Sequence, residues 1–410
     1  CVQEDRARVS DSMADPGHDD RHFVNHLDDS RDPEDWETKL RSAILGAEGQ
    51  LSRASHPRPS VYSGEGGVAL MLLRRSPRGV RLPAAVAVQL LHQLEEAERG
   101  FHRSRVSFLE GLPGNLALQA AVHWRQGEGE RVRALVARVE ECERRVRALD
   151  PGECEVLYGR CGYLGAILFL RREFGDATLM TEVAARVVAD VVASGRDAAH
   201  GGWPLYYEWH DKCYFGGAHG LAGILFTLLQ LPEELARCKG AVQLVRAAAD
   251  ALLAKRFLGG NLPSSEGSSK DRLVHWCHGA TGLVPLLLQL AGTFREPSYL
   301  AMAAELGEVI WRRGLLSTKG PGLCHGIPGN GYALLTLHRA DPRSEAGMTW
   351  LRRARHFAVF VAGRCAELLP YADRPYSMFE GLAGALAFWH DVLRASECPE
   401  EAGRFPGYDF

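Results

Sequence analysis

The 410-residue sequence lacks long hydrophobic runs and an excess of charge of either sign. Its strongest apolar stretches, around Leu221–Leu231 and Leu283–Leu290, are shorter than the roughly 18–20 residues that a membrane-spanning helix needs. We therefore expect a protein that is not integral to a membrane, and peripheral association stays open. Lysine and arginine total 48 against 51 aspartate and glutamate, so we expect no nucleic-acid partner.

The sequence also lacks a dense cysteine framework and a signal peptide at its start. Its ten cysteines are scattered through apolar segments, and the first residues are polar and acidic instead. This pattern favours reduced thiols in the cytoplasm, with the nucleus or a membrane surface as alternatives. We expect residues 1–35 to form a polar segment, partly disordered or an extension, before one domain over residues 36–410.

What the sequence does contain is a repeat. A Gly-x-x-Gly unit followed by an apolar helical stretch occurs seven times, with first glycines 47 to 61 residues apart. That spacing accommodates two helices per unit. One glycine pair is weak evidence, whereas seven at near-regular spacing indicate a loop and helix start packed where a Cβ would clash. The pairs are Gly64/Gly67, Gly111/Gly114, Gly159/Gly162, Gly220/Gly223, Gly279/Gly282, Gly326/Gly329 and Gly381/Gly384.

The helices after the glycine pairs are apolar nearly all round, which predicts that they are buried. The segments between them are amphipathic, as in Ala85–Arg99 and Glu130–Leu149, and are typical of an outer layer. The sequence thus predicts an all-α fold, an α/α toroid of seven inner and seven outer helices. An open solenoid is the alternative, but it would require a polar last repeat, and the last repeat is as apolar as the others.

Three consecutive repeats carry histidine or cysteine just before the glycine pair. Repeat four has His219, repeat five has Cys277 and His278, and repeat six has Cys324 and His325. In a toroid these positions lie at one rim, at the starts of the inner helices. Two cysteines and one or two histidines at one place indicate zinc in a reduced compartment. The residues alone leave three alternatives: a closed site of all four, an open Cys-Cys-His site, or buried thiols without metal.

The chain resembles the LanC-like proteins, eukaryotic relatives of the bacterial lanthionine cyclases. The resemblance rests on Trp276-Cys277-His278-Gly279, Cys324-His325-Gly326 and Ala218-His219-Gly220, and it extends over nearly the whole chain. Further matching segments are Tyr158-Gly159-Arg160, Tyr207-Glu208-Trp209, Ser377-Met378-Phe379-Glu380-Gly381, Arg404-Phe405-Pro406 and Arg21-His22-Phe23-Val24-Asn25.

The resemblance implies one Zn²⁺ held by Cys277, Cys324 and His325, with a fourth position for a thiol. It implies His219 as the acid/base group and glutathione as the thiol. A zinc-held thiol loses its proton at neutral pH and can add to dehydroalanine or dehydrobutyrine, while a histidine protonates the α-carbon.

The implied glutathione site requires cations, because glutathione carries two carboxylates. By resemblance Lys319 is assigned to it, and Arg21 and Arg160 are further candidates for a carboxylate or phosphate. Each of the three could instead be an ordinary solvated or ion-paired charge.

One departure concerns the acidic residue that the bacterial enzymes carry before the third glycine motif. Val156-Leu157-Tyr158 occupies that stretch and Glu155 is displaced, so we expect no counterpart, and intermolecular addition rather than ring closure. The predicted function is a zinc-dependent glutathione transferase that forms thioethers on dehydroamino acids in proteins or peptides, including former phosphoproteins. The alternative is a non-catalytic glutathione- and zinc-binding regulatory or scaffold protein.

Overall fold

The computed structural model describes residues 21–54, 58–102 and 104–410. Within these ranges the chain forms α-helices, two short 3-10 helices and isolated bridges but no extended strand, which confirms the all-α prediction. The helices are α1 (Trp36–Leu51), α2 (Glu65–Arg75), α3 (Ala84–Glu98), α4 (Leu112–Gln126), α5 (Gly129–Glu141), α6 (Glu143–Arg147), α7 (Arg160–Phe174), α8 (Thr181–Asp197), α9 (Leu221–Leu229), α10 (Pro232–Arg237), α11 (Ala241–Leu253), α12 (Val284–Phe294), α13 (Pro297–Arg313), α14 (Ile327–Ala340), α15 (Glu345–Leu368), α16 (Leu382–Arg394) and α17 (Pro399–Ala402).

Seven apolar helices form a closed inner ring. In ring order they are α2, α4, α7, α9, α12, α14 and α16, each packed on the next, and α16 packs on α2. The contact between the last and the first repeat makes the fold a closed toroid, and the open solenoid was the wrong alternative. The core lies between this ring and an outer layer of amphipathic helices, α1, α3, α5, α8, α11, α13 and α15.

The outer layer differs from the sequence prediction in two details. The predicted stretch Glu130–Leu149 is divided, because α5 ends at Glu141 and α6 begins at Glu143. The first outer helix, α1, precedes the first glycine pair and packs on α15 and α16. The start of the chain therefore covers the last repeat, which joins the two ends of the ring.

The second glycine of every pair has the role that the repeat predicts. A Cβ at this position would lie 1.8–2.4 Å from the carbonyl oxygen of the residue six positions earlier. Such a separation is impossible, so only glycine allows the preceding loop to fold back on the helix start. These glycines are Gly67, Gly114, Gly162, Gly223, Gly282, Gly329 and Gly384.

Part of the predicted N-terminal segment is anchored to the toroid. The amide of Phe23 donates to the carbonyl of Leu315 at 2.7 Å, and Asn25 Nδ2 donates to the carbonyl of Trp311 at 2.6 Å. Residues 1–20 lie outside the described residues. Helix α1 begins at Trp36, but the division into a segment of residues 1–35 and a domain of residues 36–410 stays a prediction.

Among the described residues, no helix combines the length and the apolar character that crossing a bilayer requires.

Candidate metal centre and its histidine

The predicted metal ligands and the predicted acid/base histidine lie where the inner helices begin. The residue just before each first glycine occupies what we call the mouth position, and the residue before that occupies the ladder position. The mouth residues are Ser63, Glu110, Tyr158, His219, His278, His325 and Glu380, and the ladder residues are Tyr62, Leu109, Leu157, Ala218, Cys277, Cys324 and Phe379. Both sets recur once per repeat, so they form two rings at one end of the toroid, which we call the mouth.

Backbone hydrogen bonds join successive ladder residues. The amide of Cys277 donates to the carbonyl of Cys324 at 3.3 Å, and the amide of Cys324 donates to that of Phe379 at 2.7 Å. The series continues from Phe379 to Tyr62 at 3.2 Å, across the closure of the ring. Two cysteines separated by 46 residues in sequence are thereby held as direct neighbours.

The structure brings Cys277, Cys324 and His325 together. One ligand atom from each, two sulfurs and a ring nitrogen, all lie within 4.8 Å of one another. Ligand atoms on a shared tetrahedral zinc lie about 3.5–4 Å apart, so the cluster needs only small adjustments to hold one. His278, part of the alternative closed site, lies outside this group of three.

The pKa values of the cluster suit the binding of a cation. Burial, followed by the neighbouring Cys277, raises the pKa of the Cys324 thiol well above its ordinary value. Burial, followed by the charge of Lys319, lowers the pKa of His325 to about 4. The imidazole is therefore neutral at neutral pH, which is the form that binds metal, whereas the thiol requires a positive charge to ionise.

Tyr62 is a neighbour of the cluster that the sequence analysis did not identify. Its side chain is buried, and its hydroxyl forms a hydrogen bond with the Cys324 thiol. The Tyr62 ring also stacks on that of Phe379, with centroids 4.8 Å apart. Burial raises the pKa of Tyr62 well above its ordinary value, so the hydroxyl keeps its proton. It is thus available as a donor to the sulfur.

His219 is paired with an acidic residue. Its Nδ1 lies 2.8 Å from Oε2 of Glu155, and both side chains are almost completely buried. Its Nε2 is buried without a hydrogen-bond partner. The expectation that no acidic counterpart exists was therefore wrong: Glu155 fills that place and orients the ring, leaving Nε2 for a reacting group.

The register of the repeats explains how Glu155 reaches His219. It stands four residues before the first glycine, where repeats one, two and seven have a serine that accepts an amide hydrogen bond inside the loop. Glu155 accepts the same kind of bond, from the amides of Leu157 and Tyr158, and has oxygen lone pairs left for His219. Comparison of the repeats at this position would have found it.

Trp209 limits the rotation of the His219 ring about its side-chain bonds. The two rings stack with centroids 3.8 Å apart and an angle of 3°. Trp209 begins a tight hairpin in which it exchanges backbone hydrogen bonds with Lys212. The two residues between them, His210 and Asp211, both have positive φ, at 49° and 58°. This backbone conformation is unfavourable for residues other than glycine.

Two of the predicted anion-binding residues lie beside the cluster. Lys319 precedes α14 on the loop that leads to Cys324. Burial is the main cause of the lowered pKa of His325 and of His275, and the charge of Lys319 lowers both further. The carbonyl of Arg21 accepts a hydrogen bond at 2.9 Å from the amide of Ser317, on the same loop. The charge of Arg21 also makes a small contribution to the lowered pKa of His275. Both residues therefore bring positive charge to the mouth.

Arg160 is placed differently. Its guanidinium is buried and donates to the carbonyls of Leu149 and Asp150, at 2.6 and 2.8 Å. These bonds tie the start of α7 to the loop before it. Its assignment to a substrate anion stays a prediction, and its contacts favour a structural role.

Comparison with known proteins gives matches over most of the chain. A family model described as lanthionine synthetase C-like protein matches residues 55–406. Glutathione S-transferase LANCL1 of Danio rerio is 31% identical over 387 residues, covering 91% of this chain and 90% of that protein. LanC-like protein GCL1 of Arabidopsis thaliana is 32% identical over 370 residues, covering 86% of this chain and 81% of that protein.

A solved structure shares the fold. Nisin cyclase superimposes with a TM-score of 0.64 at 13% sequence identity, covering 90% of this chain and 98% of that one.

Proposed function

The chain belongs to the lanthionine synthetase C-like family, and on that premise we propose that it is a zinc-dependent glutathione transferase. It adds the glutathione thiol to dehydroalanine or dehydrobutyrine residues of proteins or peptides and leaves a thioether. The single observation that carries the proposal is the meeting of Cys277, Cys324 and His325 at the mouth, in the repeats next to His219 and its partner Glu155.

The metal part of the proposal rests on the donor set. Cys277, Cys324 and His325 would hold Zn²⁺ through two sulfurs and one nitrogen, which leaves one position of a tetrahedron to a ligand from solution. When bound, zinc supplies the positive charge that ionises a thiol at neutral pH. The backbone hydrogen bond from Cys277 to Cys324 keeps the two residues that carry the sulfurs next to each other.

His219 is proposed to deliver the proton that completes the addition. When sulfur bonds to the β-carbon, the π electrons move toward the carbonyl, and the α-carbon must then take up a proton. The carboxylate of Glu155 holds Nδ1 of His219, so Nε2 is the ring nitrogen through which the proton would pass. Trp209 prevents rotation of the ring, so Nε2 keeps one direction.

Two observations support glutathione as the thiol: the name of the Danio rerio relative and the positive charge near the cluster. Its two carboxylates require cations near the cluster, and we assign Lys319 and Arg21 to them, since both lie on the paired backbone segments beside His275 and His325. Because Glu155 is present, a missing acidic residue no longer argues against ring closure. Intermolecular addition is instead supported by the glutathione S-transferase name of the Danio rerio relative.

A non-catalytic zinc- and glutathione-binding protein is the second candidate. The unpartnered, buried Nε2 of His219 favours turnover, because a buried polar atom without a partner is costly in a mere scaffold. The cytoplasmic location stays a prediction.

The experiment incubates the zinc-loaded protein with glutathione and a dehydroalanine peptide and follows the thioether product by mass spectrometry. For His219→Asn we expect turnover to fall about 100- to 10,000-fold, the range typical of a lost acid/base group. Zinc content and glutathione affinity should stay near those of the wild type. Glutathione binding without thioether formation by the wild type would contradict the enzyme and leave the scaffold.

A further inference from the structure

The mouth has a second half that the proposed function does not use. His219, His278 and His325 occupy the mouth positions of repeats four to six, whereas repeats two and three place Glu110 and Tyr158 there. His219 lies at the boundary between these halves. A group that protonates the electrophile must touch it, so the half beyond His219 from the metal cluster is where the electrophile fits.

Tyr158 is the mouth residue next to His219 on that side. Its ring centroid lies 5.9 Å from that of His219 and 6.0 Å from that of Trp209, so it lies alongside their stack. Its amide is held by Glu155, the residue that also holds His219. The same carboxylate therefore fixes the loop that carries Tyr158 and the ring that carries the proton.

Arg105 lies over this tyrosine. Its guanidinium carbon is 4.4 Å from the centroid of the Tyr158 ring, so the cation faces the ring. Arg105 itself is exposed. Burial raises the pKa of Tyr158, and the hydroxyl therefore keeps its proton at neutral pH and remains a donor.

The addition places negative charge on the carbonyl oxygen of the dehydroamino acid, and none of the residues named above stabilises it. The thiol loses its proton to solvent, a sulfur lone pair forms the bond to the β-carbon, and the carbon–carbon π pair moves through the carbonyl, leaving negative charge on its oxygen. The charge disappears when His219 gives its Nε2 proton to the α-carbon and regains one from water. A fixed donor at the oxygen stabilises the intermediate stage more than the neutral amide.

Resting on the proposed function, we propose that the hydroxyl of Tyr158, supported by Arg105, donates a hydrogen bond to the carbonyl oxygen of the dehydroamino acid. The electrophilic peptide then lies over repeats two to four, and glutathione lies over repeats five and six. Tyr214, whose ring also approaches His219, is 5.5 Å from His278 and thus on the metal side, so it does not fit this role.

Tyr158→Phe tests the proposal, because it keeps the ring and its contacts and removes only the hydroxyl. We expect kcat for glutathione addition to fall about 100-fold, the loss typical of one oxyanion donor, with zinc content and glutathione affinity unchanged. Tyr299→Phe is the matched control: it removes a hydroxyl bonded to Asp250 in the outer layer, and kcat should stay the same. Arg105→Gln should lower kcat less than Tyr158→Phe.

A binding measurement separates this inference from the proposed function. Without glutathione the dehydroalanine peptide cannot react, and its Kd for wild type and Tyr158→Phe can be compared by calorimetry. We expect the variant to bind about fivefold more weakly, the effect of one neutral hydrogen bond. A wild type that binds the peptide but forms no thioether contradicts the transferase alone. Equal peptide Kd values, absent peptide binding, or equal kcat values overturn the role of Tyr158.

Discussion

The two ends of the inner ring use charged residues in opposite ways. At the mouth, where the helices begin, His219 with Glu155 is the only ion pair of a mouth residue within the described ranges. At the other end, where the helices finish, arginines meet carboxylates, as in Arg74 with Asp391 and Arg125 with Glu173. The end at which we propose the chemistry therefore has few ion pairs, and the other end is held together by them.

Helix dipoles explain why the ends differ. Exposed amide groups give a helix start partial positive charge, which favours thiolates and bound anions, while the carbonyls at the finish favour cations. Five of the seven inner helices carry basic residues in the last turn: α2, α4, α7, α14 and α16. Substitutions at the mouth should therefore change turnover, and substitutions at the other end should change the free energy of unfolding.

Asp391→Asn should have the largest effect. This carboxylate is 1% exposed and receives bonds from Arg74, Arg394 and the hydroxyl of Tyr332. Removal of its charge leaves two arginines without their partner, which costs about 3–5 kcal/mol of unfolding free energy. Denaturant unfolding measures the loss, and kcat per folded molecule should not change. A variant that keeps its stability but loses turnover would break the division between the two ends.

Glu155→Gln should show the reverse. The amide cannot hold Nδ1–H of His219 as the carboxylate does, and we expect kcat to fall about 100-fold, equal to ~2.7 kcal/mol in the barrier. Glu234→Gln is the matched control, because Glu234 is a buried carboxylate paired with Arg171 away from the mouth. It should lose stability and keep kcat. The comparison fails if the two variants lose turnover equally.

The pH dependence of stability sharpens the same contrast. Burial, followed by the charge of Arg75, lowers the pKa of His390 on α16 to about 4, so the unfolded chain binds the proton more tightly than the folded one. The stability gained from the neutral His390 is fully present above its pKa in the unfolded chain, near 6.5, and it is lost as the pH falls toward the folded value of about 4. Between pH 6.5 and 4.5 this loss is about 2 kcal/mol. His390→Gln should flatten the stability curve in that window, and an unchanged slope would contradict the assignment.

Arg186→Gln should have the smallest effect. Arg186 pairs with Glu143 on the outer layer, but its side chain is 45% exposed and solvent screens the pair. We expect little or no change in unfolding free energy, and none in kcat. A loss comparable to that of Asp391→Asn would show that exposure does not govern these ion pairs.

The sequence predicted the fold through its repeats. Seven glycine pairs gave the number of inner helices, and the apolar last repeat correctly favoured closure, because closure depends on packing that recurs in every unit. The break between α5 and α6 at Cys142 was not predicted, since periodicity continues across it. Nor was the position of α1, because only the closed ring shows that the first helix covers the last repeat.

The site was predicted where chemistry repeats and missed where it does not. Cys277 and Cys324 share one motif position and His278 and His325 share the next, so the repeat predicted that these side chains lie at one rim. The resemblance to the LanC-like proteins, and not the repeat, singled out Cys277, Cys324 and His325, which the structure brings together. Tyr62 has the ladder position of the two cysteines but a different side chain, and only the three-dimensional contacts connect it to Cys324. Glu155 replaces the serine that other repeats have at its position, so a comparison of the repeats would have singled it out, and the structure adds its contact with His219. Arg160 shows the converse: adjacency to a motif glycine did not place its guanidinium at the mouth.

The most direct test of the account is the zinc content of the freshly purified, reduced protein beside that of Cys324→Ala. Elemental analysis should find about one zinc per chain in the wild type and little in the variant, since the variant keeps only two of the three ligands. Wild-type protein without zinc, or a variant that retains it fully, would contradict the assignment of Cys277, Cys324 and His325 as the metal centre on which the proposed chemistry depends.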